Sequence, residues 1–291
     1  MKGKLKHPIK QLVIFGILLV LLVITLLPFY MTIIMSQKTS GEIANYFWAW
    51  PKQLHLDYYL TAFKRICPYI INSLIIVTAS VAAIVFLSSF GGYVFGRMNF
   101  GGKNVLFTLI IALMMIPGIL TLIPSFLWMK EFPFVGGNNW IGAGGSGFLN
   151  SRLVLILPYI SGGQIFGIFL CRTFFQSLPE SLFEAARLDG ASEFQVYWRV
   201  AVPLSLPILA TLAIMNFVAI YNDYIWPLVS ISSGELQVFS VGTINFSNEY
   251  FTVKPGIVMA GYLIGSIPMI ILFMFGMKYY IKGLTEGAIK G

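Results

Sequence analysis

Charge is scarce in this chain. Asp, Glu, Lys and Arg make up 10% of its 291 residues and hydrophobic residues 57%, against roughly 25% and 45–50% in soluble domains. The mean hydropathy is +0.82. So little polar surface cannot solvate even one soluble domain, and the chain reads as an integral membrane protein. Histidine is scarcer still, with only His7 in a basic tail and His55 in an outer loop. No HExxH, GxSxG or His/Asp cluster occurs, so there is no nucleophile with its base and no metal set, and catalysis by this chain is not expected. The two cysteines, Cys67 and Cys171, flank spans on opposite sides of a bilayer core about 30 Å thick and cannot pair. No GxxxxGK[ST] is present, so no loop of this chain is built to cradle a nucleotide phosphate. The net charge of +8 lies in short runs beside apolar stretches, not in one patch, which argues against nucleic acid and for topology signals.

What is abundant is long apolar sequence. Six stretches are long enough to cross a bilayer: Leu12–Met35, Ile70–Phe95, Val105–Trp128, Leu153–Cys171, Leu204–Leu228 and Ile257–Tyr280. The first follows a basic leader but exceeds a signal h-region of about 7–15 residues and lacks a small-x-small cleavage site, so it reads as a retained anchor. With the N-terminus cytoplasmic, 12 of the 19 Lys and Arg residues fall on the inner side, placing both termini inside. The expected organisation is a cytoplasmic tail over 1–11, a first helix over 12–35 and an outer segment over 36–69. A core over 70–282 follows, with five helices and a cytoplasmic loop at 177–203, and a cytoplasmic tail over 283–291 ends the chain. Of the outer segments, 36–68 carries interface aromatics in FWAW and LDYYL, and Lys130–Ser151 contains GGNNWIGAGGSG, which reads as a flexible loop.

Within the spans, GYVFG (Gly92–Gly96), GQIFG (Gly163–Gly167) and GYLIG (Gly261–Gly265) are small-xxx-small patterns. They allow close helix packing, or sliding during a cycle. Pro117, Pro124, Pro158, Pro207 and Pro268 are expected to kink their helices. Ionisable residues are nearly absent from the spans, Asp223 near the outer end of the fifth being the exception. That absence argues against an ion-coupled transporter or proton pump, whose relays sit at membrane depth. A secondary transporter working without an ATPase is the alternative function, but the repeated halves it should show are not seen.

One charged stretch interrupts this pattern. SLFEAARLDGASEFQVYWRVAVP (Ser181–Pro203) lies between the fourth and fifth spans on the inner side. Ser177 with Glu180, and Ser181 with Glu184, fit capping boxes, so a helix is predicted to Leu188, ended by Gly190. Ser192 with Gln195 starts a second helix that Pro203 stops. Glu180, Glu184, Asp189 and Glu193 outnumber Arg187 and Arg199, the wrong balance for a DNA-binding helix-turn-helix. Two readings fit the residues. One is an amphipathic loop on the membrane surface; the other is a plug into a partner, with Phe183, Leu188, Phe194 and Trp198 as anchors and Ala185 and Ala186 allowing close approach.

EAARLDG (Glu184–Gly190) followed by Val200–Pro203 resembles the EAA loop of bacterial ABC-importer permeases, with Val202 where the pattern usually has Leu. Asn72-Ser73, GGYVFGRMNFGGK (Gly91–Lys103), MMIPGILTLIP (Met114–Pro124), FQSLPESLFEAARLDGAS (Phe175–Ser192), YNDYIWPL (Tyr221–Leu228) and GLTEGAIKG (Gly283–Gly291) are similar to the carbohydrate, maltose-transporter-like branch of that family. The resemblance implies an all-α polytopic membrane protein with six transmembrane helices, the type I ABC-importer permease fold, in the bacterial inner membrane. It implies a partner ATPase dimer docked under the loop at Glu184, Ala185, Ala186, Arg187, Leu188, Asp189 and Gly190. A C-terminal contact to the ATPase at Thr285, Glu286, Gly287 and Lys290 follows from the same resemblance. A second, related permease chain, giving a heterodimer, and an extracytoplasmic solute-binding protein complete the implied assembly. No cofactor is expected on this chain itself; ATP and Mg belong to the ATPase.

The implied cargo is an oligosaccharide or related polar solute, moved by alternating access. Sugars are held by hydroxyl-bonding side chains and aromatic faces, so Asn216, Tyr221, Asn222, Asp223, Tyr224 and Trp226 are substrate-pathway candidates. The same Tyr and Trp residues also fit an outer aromatic belt, and Asn216 a bond between helices.

Overall fold

The computed structural model describes residues 8–288, and the side chains of residues 11–278. Among the described residues all regular structure is helical. The elements are α1 Pro8–Met35, α2 Ser40–Asn45, α3 Leu56–Arg97, α4 Lys103–Met114, α5 Leu122–Lys130, α6 Arg152–Ser177 and α7 Glu180–Leu188. They continue with α8 Glu193–Val196, α9 Val202–Leu204, α10 Leu206–Asn222, α11 Ile225–Ser230, α12 Phe239–Tyr250 and α13 Pro255–Ala288. α1, α3, α6 and α13 are each long and apolar enough to cross a membrane; α4 with α5, and α8–α9 with α10, are helix pairs bent by 93° and 75° that bring the candidates to six if each pair counts as one. The six predicted stretches are therefore all helical, but the third and fifth are broken. The third is broken at Pro117, whose ring cannot continue a helix, and the fifth at Asp223–Tyr224 between α10 and α11, while the bend at Ser205 between Pro203 and Pro207 lies at its start.

α3 differs most from expectation. It begins at Leu56 and runs 42 residues, about 63 Å at 1.5 Å per residue. Residues 56–69 of the expected outer segment are thus its first turns. Hydropathy falls there because of Asp57, Lys64 and Arg65, while the helix itself continues.

The chain divides into two compact units, residues 1–67 with 243–266, and residues 68–242 with 267–291. In the first, α1 is apolar and exposed along its length from Leu12 to Phe29, as suits a helix surrounded by lipid. Behind it the segment 36–55 is ordered by polar contacts. The buried Lys38 ammonium donates to the carbonyls of Tyr46 and Phe47, each at 2.8 Å. Thr39 and Glu42 close a capping box on α2, while Trp48 and Trp50 of FWAW remain exposed. In the same unit Gly261 of GYLIG lies under Ile66 and Phe246, with no room for a β-carbon.

In the second unit, α3 and α6 pack through a ladder with four-residue steps on both helices. Gly163 meets Ile84, Gly167 meets Ser88, Gly92 meets Cys171 and Gly96 meets Phe175. The small residue of each pair sits on α6 in the first two rungs and on α3 in the last two. A β-carbon on Gly92 would lie 2.4 Å from that of Cys171, and one on Gly167 would lie 2.1 Å from the Ser88 hydroxyl. Close packing is thus the role that GYVFG and GQIFG play in the fold. One buried cluster, around Tyr93, Phe175, Phe183, Tyr197 and Leu212, fills one end of this unit, and another, around Ile84, Leu155, Tyr221 and Trp226, fills the other.

The Gly-rich run within 130–151, read from composition as a flexible loop, is compact and internally hydrogen-bonded. Asn138 donates to the carbonyls of Lys130 and Phe132, and Asn139 accepts from the amides of Ile141 and Ala143. Gly136, Gly142 and Gly147 adopt positive φ against backbone that would collide with any side chain. Glycine serves compaction here, because the strands of the loop approach closer than a β-carbon allows.

Candidate functional site

The charged loop between α6 and α10 is a braced helix pair. α6 ends at Ser177, Leu178 is extended, and α7 starts at Glu180 with Pro179 as its N-cap. Neither predicted capping box on α7 forms. Ser177 remains in α6 and donates its hydroxyl to the Phe174 carbonyl. Glu180 does not fold back to the helix start, because Arg97 and Arg187 both take its carboxylate. At the other end of α7 the turn closes as the sequence predicts. Gly190 has φ +81°, its amide donates to the Arg187 carbonyl, and the Ala191 amide donates to that of Ala186. Those two bonds form a Schellman cap, which requires the left-handed residue at Gly190. Ser192 and Gln195 form the expected capping box on α8. α8 runs on through a π-turn, Tyr197–Ala201, into α9, so Pro203 does not stop it; such wide turns are frequent at functional positions.

Of the four proposed anchors, Phe183 is wholly buried in the core, whereas Leu188, Phe194 and Trp198 are 87%, 65% and 53% exposed. Glu184, Ala185 and Asp189 also face outward, with Ala186 and Arg187 half-buried. Among the described residues Glu184 has no ion-pair partner. Arg187, by contrast, donates to Glu193 at 2.8 Å and reaches Glu180 at 3.4 Å. The Glu193 carboxylate beside it raises its already high pKa further, so Arg187 braces the pair from within. Asp189, Gly190 and Arg199 line a cleft of about 400 Å³ between the two helices. The loop thus offers a partner an unpaired carboxylate, three apolar side chains and a cleft on a surface fixed by its own salt bridges. The tail positions Thr285, Glu286, Gly287 and Lys290 lie outside the residues whose side chains are described.

A second site lies where α6 faces α10. A cavity of about 440 Å³ is lined by Tyr159, Gly162, Gly163, Asn216, Asn222 and Asp223, among others. The Tyr159 hydroxyl donates to the Asp223 carboxylate at 2.8 Å. The other Asp223 oxygen accepts from the Ile225 amide, so the carboxylate also holds the break between α10 and α11. Asn216 reaches the cavity because Gly163 has no β-carbon: one there would lie 2.7 Å from the amide oxygen.

The six predicted pathway residues divide here. Asn216, Asn222 and Asp223 line the cavity. Trp226 is buried, donating to the Val154 carbonyl at 2.9 Å, and Tyr221 is buried in a stack with Phe217 and Phe239. Tyr224 is 40% exposed just before α11 and does not line the cavity. Tyr159 was not picked out by the sequence, since a lone Tyr in an apolar span carries no local signal. Its pairing with Asp223 is a long-range contact.

Residues 88–286 match the model of the family described as binding-protein-dependent transport system inner membrane component. The chain belongs to this family. It is a membrane-spanning permease subunit of an ABC importer and not an enzyme. A putative ABC transporter permease protein, ORF2, of Caldicellulosiruptor sp. (strain Rt8B.4) is 32% identical over 266 residues, covering 91% of each chain. The probable starch degradation products transport system permease protein AmyC of Thermoanaerobacterium thermosulfurigenes is 30% identical over 287 residues, covering 98% of each. The fold is that of a chain in the crystal structure of a bacterial ABC transporter involved in the import of the acidic polysaccharide alginate. That match has a TM-score of 0.79 at 22% identity and covers 96% of this chain and 99% of the other.

Proposed function

We propose that this permease moves a neutral oligosaccharide or similar polar solute, and that an ATPase dimer drives it by docking on α7 and α8. The outward-facing Glu184, Leu188, Phe194 and Trp198 around the Asp189–Arg199 cleft carry the docking reading. ATP and Mg reside on the ATPase, an extracytoplasmic binding protein delivers the solute, and a second, related permease completes the pathway. Both termini and the loop at 177–203 lie on the cytoplasmic side, following the bias of Lys and Arg.

Starch products in the name of one relative and diacetylchitobiose in that of another support a sugar cargo. Within the cavity, Asn216, Asn222, Tyr159 and Asp223 are hydroxyl-bonding groups of the kind a sugar uses. Asp223 is the single charge among the lining residues, so an acidic solute would meet an unneutralised carboxylate. Uptake of labelled neutral and uronate oligosaccharides by cells carrying the complete transporter tests this reading. Neutral sugars should enter and uronates should not; preferential uptake of uronates sinks the cargo assignment.

A further inference from the structure

The loop that we propose as the docking site hangs from two joints with little intrinsic stiffness. On one side α6 passes to α7 through extended Leu178 and Pro179, with no side-chain cap on α7. On the other, α9 meets α10 at the Ser205 break. Left to these joints, a loop displaced by its ATPase would swivel, and little of the displacement would reach the spans. Phe183, Val196 and Tyr197 pack into the buried cluster with Tyr93, Cys171 and Phe175, and a polar network adds an oriented tie from the loop to α3.

That connection is made by Tyr93 and Arg97, four residues apart on the last turns of α3 and hence on one helix face. The Arg97 side chain, 7% exposed, pairs with Glu180 and donates to the Leu178 carbonyl, the link between α6 and α7. Its guanidinium also lies over the Phe183 ring, 4.1 Å from the centroid. Tyr93 donates to Glu193 at 2.8 Å, on the other helix of the pair. Arg187 then joins Glu180 to Glu193. One charge network thus grips both helices of the loop and ends on a single span. Planar, buried and multiply bonded, Arg97 fixes orientation as well as distance, which an exposed ion pair does not do.

We infer that Tyr93 and Arg97 are the transmission contact of this permease: they oblige α3 to move with the docked loop. The inference rests on the docking reading above. Arg97 and Tyr93 are positioning residues, touching neither ATPase nor solute, and their loss should uncouple hydrolysis from transport without releasing the ATPase.

The test uses the complete transporter in proteoliposomes, with its ATPase and binding protein, comparing the native chain with Arg97→Ala, Arg97→Lys, Tyr93→Phe and Glu184→Lys. Two quantities are read, ATPase recovered with the permease and solute moved per ATP hydrolysed. Arg97→Ala is expected to keep its ATPase while solute per ATP falls by about 5- to 150-fold, the usual span of a coupling free energy. Arg97→Lys should recover part of that loss, and Tyr93→Phe should show a smaller one. An unchanged ratio in Arg97→Ala overturns the inference, as does loss of its ATPase to the extent seen with Glu184→Lys. If Arg97→Ala does not insert, Tyr93→Phe and Glu193→Gln each remove one bond and decide the ratio by themselves. Failure of the docking reading has a different sign: Glu184→Lys would keep its ATPase in full.

Discussion

Gly92 of α3 lies so close to Cys171 of α6 that a methyl group on the glycine would sit 2.4 Å from the cysteine β-carbon and 2.9 Å from the Arg172 amide. The obstacle includes backbone, which cannot rotate away. Gly92→Ala should therefore push the helices apart at a cost of about 1–3 kcal/mol and lower the yield of folded permease in detergent. Gly101→Ala, where nothing lies within 4 Å of the added carbon, should leave it unchanged. Fluorescence-detected gel filtration of both variants makes the comparison.

At Gly190 the constraint is different. A β-carbon there would touch nothing within 4 Å, but φ is +81°. Gly190→Ala should cost about 1–2 kcal/mol from left-handed strain, lowering the fraction of the loop in its docking shape and weakening ATPase affinity by up to about tenfold. Gly190→Asn should lose less, because Asn tolerates this conformation. Titration of the ATPase onto nanodisc-embedded permease measures both.

The carboxylate of Asp223 is held at 2.8 Å from the Tyr159 hydroxyl. Asp223→Asn removes the charge while keeping a hydrogen-bonding group, and should raise uptake of acidic oligosaccharides relative to neutral ones. Tyr159→Phe frees a carboxylate whose bond to a hydroxyl is worth about 1.5–3 kcal/mol, and should reduce uptake of neutral sugar without changing charge preference. Competition assays in whole cells read the two effects apart.

In the outer loop, a β-carbon on Gly145 would lie 2.1 Å from the Gly136 carbonyl oxygen. Gly145→Ala should open the compact fold of 131–151 and make it a site of limited proteolysis. Gly137→Ala adds a carbon that approaches nothing closer than 3.8 Å, but at φ +86°, and should be cut more slowly than Gly145→Ala.

Much of this molecule was legible in the sequence, and the parts that were not share a physical cause. The apolar stretches marked the four long apolar helices and the two bent pairs, and S-x-x-Q at Ser192 and Gly190 marked the loop's second cap and its turn, because these are local patterns. Hydropathy misjudged the start of α3, since Lys64 and Arg65 lower it without ending a helix. The box at Ser177 failed because Arg97, 83 residues away in sequence, claims Glu180, and the box at Ser181 because α7 starts one residue before it, leaving Ser181 inside the helix. The Gly-rich loop read as flexible because its order comes from Asn138 and backbone packing, and neither Tyr159 nor Arg97 can be singled out until α3, α6 and α10 are brought together.

The loop from Glu180 to Leu204 is the proposed seat of the ATPase. Recovery of the ATPase with solubilised permease, native against Glu184→Lys, tests it most directly, because Glu184 is exposed and has no ion-pair partner among the described residues. Loss of the ATPase from a variant that inserts and expresses normally is the predicted result. Undiminished recovery would contradict the docking reading and move the docking surface elsewhere on the permease.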